Sequence, residues 1–189
     1  MRRDEWDFSS RLSFRFNNSP SLASDTEHTV VAVSIFSINA IRKFQLEKIE
    51  YNSERNQYDA DRILKRIIKL TKNIESFRIL GIIDKDIYSE PLNFVFGIAI
   101  KPIKPVSGEP VASLISVTRL REQFYNKLEN DDLFELRILK EAVHELGHTF
   151  GLEHCNNICI MRFSNSLMDT DKKPAQFCES CLKKIKNFL

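Results

Sequence analysis

The residues with the clearest chemical potential lie between Glu141 and Cys181. This stretch holds three of the four histidines and all four cysteines of the 189-residue chain. It reads EAVHELGHTFGLEHCNNICIM and, after a short gap, ends in CESC. Imidazole nitrogens and thiolate sulfurs are preferred ligands of zinc. The stretch therefore predicts metal binding, and the rest of the chain is expected to be its scaffold.

His144 and His148 are four residues apart, a spacing that places both on one face of a helix, one turn apart. Two imidazoles in this arrangement can bind one metal ion at about 2.0–2.1 Å each. Glu145 cannot reach the same ion from its helical position, but it can reach a water on that ion. A carboxylate so placed is expected to act as the general base of a zinc hydrolase.

Gly151 predicts the end of this helix, because glycine tolerates the left-handed conformation that redirects the chain. His154, three residues later, can then turn back as a third ligand. Three neutral nitrogen ligands leave a fourth position for water, which is typical of a catalytic zinc site. The alternative, a histidine pair without metal, fits a bare HExxH better than this longer pattern, which is a known metalloprotease signature.

The cysteines predict a second metal site, made by Cys155, Cys159, Cys178 and Cys181. Four thiolates would close a tetrahedral structural zinc site. Disulfides or inert buried thiols are the alternatives, and the N-terminal sequence lacks the secretion signal that disulfides would favour. A thioredoxin-like CxxC lacks its usual βαβ setting. His154 and Cys155 are adjacent, so the structural zinc is expected to hold the third catalytic ligand in place.

The stretch HELGHTFGLEHC, followed by CIM and a later CxxC, resembles the archaemetzincins, a branch of the metzincin zinc peptidases. The resemblance implies that His144, His148 and His154 bind the catalytic zinc and that Glu145 is the general base. It implies a structural zinc on Cys155, Cys159, Cys178 and Cys181. Met161 matches the methionine turn under the catalytic metal, and Met168 is its rival. Weaker similarity extends upstream to about residue 30.

The fold class that the resemblance implies is α+β and metzincin-like. A twisted mixed β-sheet, a backing helix and an active-site helix would be followed by a small zinc-containing C-terminal lobe. We expect a polar N-terminal tail at 1–27, an N-terminal subdomain at 28–154 and a C-terminal subdomain at 155–189. The antiparallel strand at the edge above the cleft would be Phe94–Ile100 or Ala112–Thr118.

The predicted function is zinc-dependent hydrolysis of peptide bonds, with two zinc ions per chain, one catalytic and one structural. A second group should stabilise the oxyanion beside the zinc ion, and the candidates for it are Asn165 and a backbone amide. One alternative is a zinc-stabilised peptide-binding module with little or no turnover. The retention of Glu145 argues against it, because a pure binder does not need a base. Another alternative is a zinc hydrolase that acts on a non-peptide amide.

Composition describes an ordinary globular protein with one main domain, since 42% of residues are hydrophobic and 29% charged. The net charge of +2 does not favour nucleic acid or an acidic membrane as a partner. No apolar run approaches the roughly 18 residues that span a bilayer. We expect a cytoplasmic monomer whose partner is a peptide or protein substrate.

The scaffold elements follow from periodicity. Residues 1–27 are expected to be mobile or to add a short strand. Predicted strands are Thr29–Ile38, Glu47–Tyr51, Arg78–Ile83, Phe94–Ile100 and Ala112–Thr118. Helices are expected over Tyr58–Lys72, from a cap at Asp131 or Asp132 to about Phe150, and at the basic C-terminus. The second of these helices is expected to have a core face made by Leu133, Leu136, Leu139 and Val143. Gly97 suggests a bulge or a close approach, and Asp84 with Asp86 suggests a turn rather than a calcium or acid–base site.

Overall fold

The computed structural model describes residues 29–34, 42–72, 78–102 and 111–188. The expectations for residues 1–27 and for the end of the first predicted strand after Ser34 lie outside these ranges. Three prolines and a glycine also predict a loop over residues 101–110, and most of it lies outside them too. Within them the strands are Thr29–Ser34 (β1), Arg42–Gln45 (β2), Tyr51–Asn52 (β3), Gln57–Asp59 (β4), Arg78–Ile83 (β5), Ile87–Tyr88 (β6), Gly97–Ala99 (β7) and Val111–Ser116 (β8). The helices are Ala60–Thr71 (α1), Asp131–Thr149 (α2), Leu167–Lys172 (α3) and Glu179–Phe188 (α4).

The main sheet has the strand order β2-β1-β5-β8-β7. Strands β5 and β8 run parallel, while β1 pairs antiparallel with β2 and β5, and β7 pairs antiparallel with β8. A second, smaller sheet has the order β3-β4-β6. The mixed α+β class is therefore confirmed. Of the two candidates for the edge strand, β8 is internal, and β7 lies at the edge of the sheet that the described strands form.

The two long helices cover opposite faces of the main sheet, because neighbouring residues of a strand point to opposite sides. Ile79 and Leu114 pack with the apolar face of α1. Leu80 and Ile115 pack with Ile138, Ala142 and Leu146 of α2. The strands at the centre of the sheet are thus buried on both faces, which explains their almost continuous apolar sequences.

Helix α2 has no single apolar stripe, because it is covered on more than one side. The predicted core residues Leu139 and Val143 face a third cluster, formed with Phe150, Met161 and other residues after the helix. Leu136, also expected in the core, is 40% exposed. That prediction was wrong because the sheet packs against the side of α2 that carries Ile138.

Helix ends agree with the sequence except at the start of α2. Asp59 caps α1, and its side chain accepts from the Arg62 backbone N–H at 3.1 Å. The cap of α2 is Asn130, whose side-chain oxygen accepts from the Leu133 N–H at 3.0 Å. Asp131 and Asp132 occupy the first turn of α2 instead. Acidic side chains there still favour the helix through its dipole.

Two of the five predicted strands were misplaced or too long. The strand expected at Glu47–Tyr51 is wrong, since Lys48–Glu50 forms a 3-10 turn between β2 and β3. A capping box between Glu47 and Glu50 closes that turn. The strand expected at Phe94–Ile100 shrinks to β7.

The acidic pair after β5 shapes a turn, as expected. Asp86 accepts two hydrogen bonds from the Arg119 guanidinium, at 2.6 and 2.7 Å, and Asp84 pairs with Arg121 at 3.0 Å. The carboxylates therefore tie this turn to the segment after β8. Separately, no helix within the described ranges is both long and apolar enough to cross a bilayer.

Candidate metal centres

Helix α2 presents His144 and His148 on one face, as the spacing predicted. The two Nε2 atoms lie 3.2 Å apart. Two zinc–nitrogen bonds of about 2.0–2.1 Å at a tetrahedral angle would place such atoms about 3.3–3.4 Å apart. The observed separation therefore fits two ligands of one zinc ion.

The chain leaves α2 through Gly151, whose φ is 73°. The Gly151 N–H donates to the carbonyl of His148 at 2.9 Å, which closes the last turn. His154 then returns to the pair, so that metal-binding atoms of all three histidines lie within 4.8 Å of one another. The predicted three-histidine cluster is thus assembled in space.

The Nδ1 atoms of the two helical histidines face backbone carbonyls. His144 Nδ1 lies 2.9 Å from the Ile160 oxygen, and His148 Nδ1 lies 2.7 Å from the Leu152 oxygen. In the neutral tautomers, Nδ1–H donates to these carbonyls and each Nε2 carries a lone pair. Two lone pairs facing each other at this distance repel unless a cation lies between them. The donor set therefore fits a metal ion, with the carbonyls orienting its ligands.

Burial keeps these imidazoles neutral, the form that binds metal. It is the main cause that lowers the pKa of His144 well below its usual value, and the nearby positive charge of Lys173 adds to the effect. Burial also lowers the pKa of His148 to about 4, and it lowers the pKa of His154.

Glu145 lies on α2 beside the histidines and is 5% exposed. Burial raises its pKa well above the usual range, the charge of Glu141 raises it further, and Lys173 opposes the rise. Gly97 of the edge strand lies directly against this side chain. A Cβ at Gly97 would be only 2.6 Å from Glu145 Cγ. The close approach expected at Gly97 is therefore confirmed, and its neighbour is the predicted base.

The four cysteines gather at a second place and form no disulfide. Their sulfurs lie within 4.8 Å of one another, and the Cys155 and Cys178 sulfurs are 3.8 Å apart. Four zinc–sulfur bonds of about 2.3 Å in a tetrahedron would set the sulfurs about 3.8 Å apart. The cluster thus fits a closed four-thiolate zinc site better than a disulfide, whose sulfurs lie at about 2.05 Å.

Hydrogen bonds favour the thiolate form of Cys178, whereas burial raises the pKa values of Cys159 and Cys181. The Cys178 N–H donates to Cys159 Sγ at 3.3 Å, and Asn157 Nδ2 lies 3.6 Å from Cys178 Sγ. Although burial acts in the opposite direction, such bonds from Cys181 and Asn157 lower the pKa of Cys178 to about 6. A thiolate at neutral pH is the species that binds zinc.

The two methionine candidates differ sharply in their surroundings. Met161 is fully buried, and its sulfur packs so closely on α2 that a Cβ at Gly147 would lie 2.4 Å from it. Met168 is 61% exposed. Of the two, Met161 is therefore the one that packs against α2.

A cavity of about 820 Å³ connects the histidines with the edge strand. Its lining includes the residues of β7 together with Glu145, His148, His154 and Asn165. Leu64 and Ile68 of α1 also line it. The three histidines, the predicted base and β7 therefore share one cavity.

Sequence reasoning missed a buried ion pair beside the base. Glu141 Oε1 lies 2.9 Å from Lys173 Nζ, and the two side chains are 4% and 1% exposed. Both line the cavity. The place of Glu141 one turn before Glu145 was visible in the sequence. Its partner was not, because Lys173 follows α3 and only the tertiary fold brings it to α2.

The chain is similar to known proteins of one peptidase family. The profile of peptidase family M54 matches residues 29–187. An archaemetzincin of Saccharolobus islandicus is 43% identical over 138 residues, which are 72% of this chain and 70% of that protein.

Two solved structures are also similar. The crystal structure of archaemetzincin from Methanopyrus kandleri has a TM-score of 0.64 and 36% identity, and the match covers 76% of this chain and 72% of that one. A zinc-dependent peptidase from Methanocorpusculum labreanum has a TM-score of 0.65 and 31% identity, over 79% and 83% of the two chains.

These matches define the class of the protein, which is a zinc metallopeptidase. The chain belongs to peptidase family M54, and the resemblance to archaemetzincins is confirmed. Its substrate is accordingly a peptide or protein.

Proposed function

We propose that the chain hydrolyses peptide bonds at the three-histidine cluster, with Glu145 as the general base. The observation that carries this proposal is the convergence of two neutral Nε2 atoms at 3.2 Å, with a buried carboxylate on the residue between them and a cavity alongside. His144, His148 and His154 would hold the catalytic zinc ion.

Zinc bound there supplies a Lewis acid that polarises a carbonyl and lowers the pKa of water to about 7. Glu145 takes the proton of the attacking water and later gives a proton to the leaving amine. The proton that Glu145 takes from water in the first step is the one that it can donate in the second. Asn165 lines the cavity and is the candidate for the second oxyanion donor.

Substrate is proposed to bind as an extended strand along β7. This strand ends the order of the main sheet among the described strands, and its residues line the cavity. A peptide can add to such an edge through backbone hydrogen bonds. Gly97 is the point at which the strand, the base and the scissile bond would meet.

The remaining parts of the site are proposals of the same kind. Four cysteines, Cys155, Cys159, Cys178 and Cys181, would hold a second, structural zinc. Met161 would form the metzincin methionine turn, and the chain would divide into subdomains at 28–154 and 155–189. The monomeric state and the cytoplasmic location stay predictions.

Removal of zinc tests the central proposal. We expect purified, zinc-loaded protein to cleave members of a proteome-derived peptide library, to lose this activity after chelation, and to regain it when zinc is added back. Mass spectrometry of the peptides measures all three states. Cleavage that survives chelation, or a complete lack of cleavage by zinc-loaded protein, would count against the proposal.

Replacement of Gly97 by alanine tests the contact between the edge strand and the base. The added Cβ would lie 2.6–2.8 Å from three atoms of Glu145, so the carboxylate must move. We expect kcat to fall about 100-fold, since a displacement of about 1 Å at a reacting group has effects of that size. Zinc content should not change. Lys43→Ala, at an exposed position of β2, is the control and should keep parental turnover. Normal turnover by Gly97→Ala would contradict the assignment.

A further inference from the structure

The buried Glu141–Lys173 pair has no task in the hydrolysis proposed above. Both groups lie in the wall of the cavity, and both are almost completely buried. A buried ion pair of this kind is weak evidence for added stability, because the cost of desolvation offsets much of the attraction. Its position beside the histidines points to a role in the site.

Glu141 is three residues before His144, so the two side chains share a face of α2. Glu-x-x-His at this spacing is a metal-binding arrangement in helical proteins. A carboxylate that joined the three imidazoles would give the ion four protein ligands. Four protein ligands are typical of closed structural zinc sites, whereas catalytic sites keep a position open.

The carboxylate of Glu141 is instead held by two groups near α3. Oε1 accepts a hydrogen bond from Thr170 Oγ1 at 3.0 Å and lies 2.9 Å from Lys173 Nζ. Glu141 is not a member of the cluster of metal-binding atoms that the three histidines form. Two contacts to one oxygen therefore direct the carboxylate toward α3.

The segment that carries Thr170 and Lys173 is itself bound to side chains of α2. Arg137 donates two hydrogen bonds of 2.7 Å to Asp171. Lys140 Nζ donates to the carbonyls of Thr170 and Asp171 at 3.0 and 2.8 Å. These two cations are thus already engaged, and Lys173 is the cation that faces Glu141 at short range.

We propose that Lys173 and Thr170 are positioning residues, which hold Glu141 away from the catalytic ion and so keep one coordination position free for the reaction. The inference rests on the proposed function. Without Lys173, the buried charge of Glu141 lacks its counter-charge and turns toward the zinc ion. Zinc affinity then rises while activity falls, whereas damage to the site would lower both.

The experiment compares zinc affinity with peptide cleavage in Lys173→Met, Thr170→Val and Lys173→Arg, with and without Glu141→Gln. Competition with a chromophoric chelator gives the affinity, and a His148→Ala variant gives the blank for the cysteine site. For Lys173→Met we expect the dissociation constant of the histidine site to fall about tenfold and cleavage to fall about 100-fold, the size of effects around metal sites.

The other variants separate positioning from folding. Thr170→Val should show a smaller change in the same direction, which keeps the test available if Lys173→Met does not fold. Lys173→Arg should behave like the parent. Addition of Glu141→Gln to Lys173→Met should return zinc affinity to the parental value and recover cleavage.

Unchanged or weaker zinc binding in both Lys173→Met and Thr170→Val would overturn the inference. An increase in zinc affinity in Lys173→Met that persists when Glu141→Gln is added would also overturn it. A parent protein without zinc at the histidines would instead refute the proposed function. The two failures are therefore distinguishable.

Discussion

Replacement of Glu145 by glutamine is expected to leave zinc bound at the histidine cluster and to lower peptide cleavage by about 10²–10⁴-fold, the usual contribution of a general base. Glutamine keeps the size of the side chain that packs against Gly97, so the helix and the three imidazoles should keep their places. It cannot take a proton from water. Turnover should therefore be lost in kcat, with little change in KM or zinc content.

The matched control is Glu135→Gln, an exposed glutamate on the same helix. It should cleave the same peptides at the parental rate. Parent and Glu145→Gln proteins that both bind peptide and both fail to cleave it would favour the zinc-stabilised binding module. Activity confined to small amides would favour a hydrolase of a different substrate class.

The two clusters of metal-binding residues were predictable because short-range patterns in the sequence determine most of their geometry. His144 and His148 are separated by one helical turn, and Gly151 redirects the chain within three residues of His154. Neither step needs knowledge of the sheet. The structure confirms the left-handed Gly151 and the assembly of both clusters within 4.8 Å. Their roles in catalysis and zinc binding stay predictions.

The parts that failed depend on tertiary contacts. Leu136 looked like a core residue because the periodicity of α2 cannot reveal that the sheet covers the Ile138 side. Lys140 and Lys173 are 5% and 3% exposed, although lysine is rarely buried without a partner. Their partners come from elements about 30 residues away in the chain, and the sequence offers no local signal for such pairing.

The second large effect is expected from Cys178→Ser, which should weaken zinc binding at both centres. The cysteine cluster is connected to two of the three histidines. Cys155 follows His154 directly, and Cys159 precedes Ile160, whose carbonyl orients His144 Nδ1 at 2.9 Å. The Cys155 N–H also donates to the Met161 carbonyl at 2.9 Å, which joins both segments.

Loss of one thiolate should therefore loosen the bend that carries His154 and the carbonyl that fixes His144. We expect zinc affinity of the histidine site to fall about 10–100-fold, the usual cost of losing groups that orient metal ligands. Metal analysis and chelator competition measure the zinc content and the zinc affinity of both sites. The control is Ser180→Ala, which changes an exposed residue between Cys178 and Cys181. A Cys178→Ser protein with one full zinc at the histidines and parental affinity would mean that the two centres are independent. The sulfur cluster would then stabilise only the C-terminal segment, and the adjacency of His154 and Cys155 would have no consequence for catalysis.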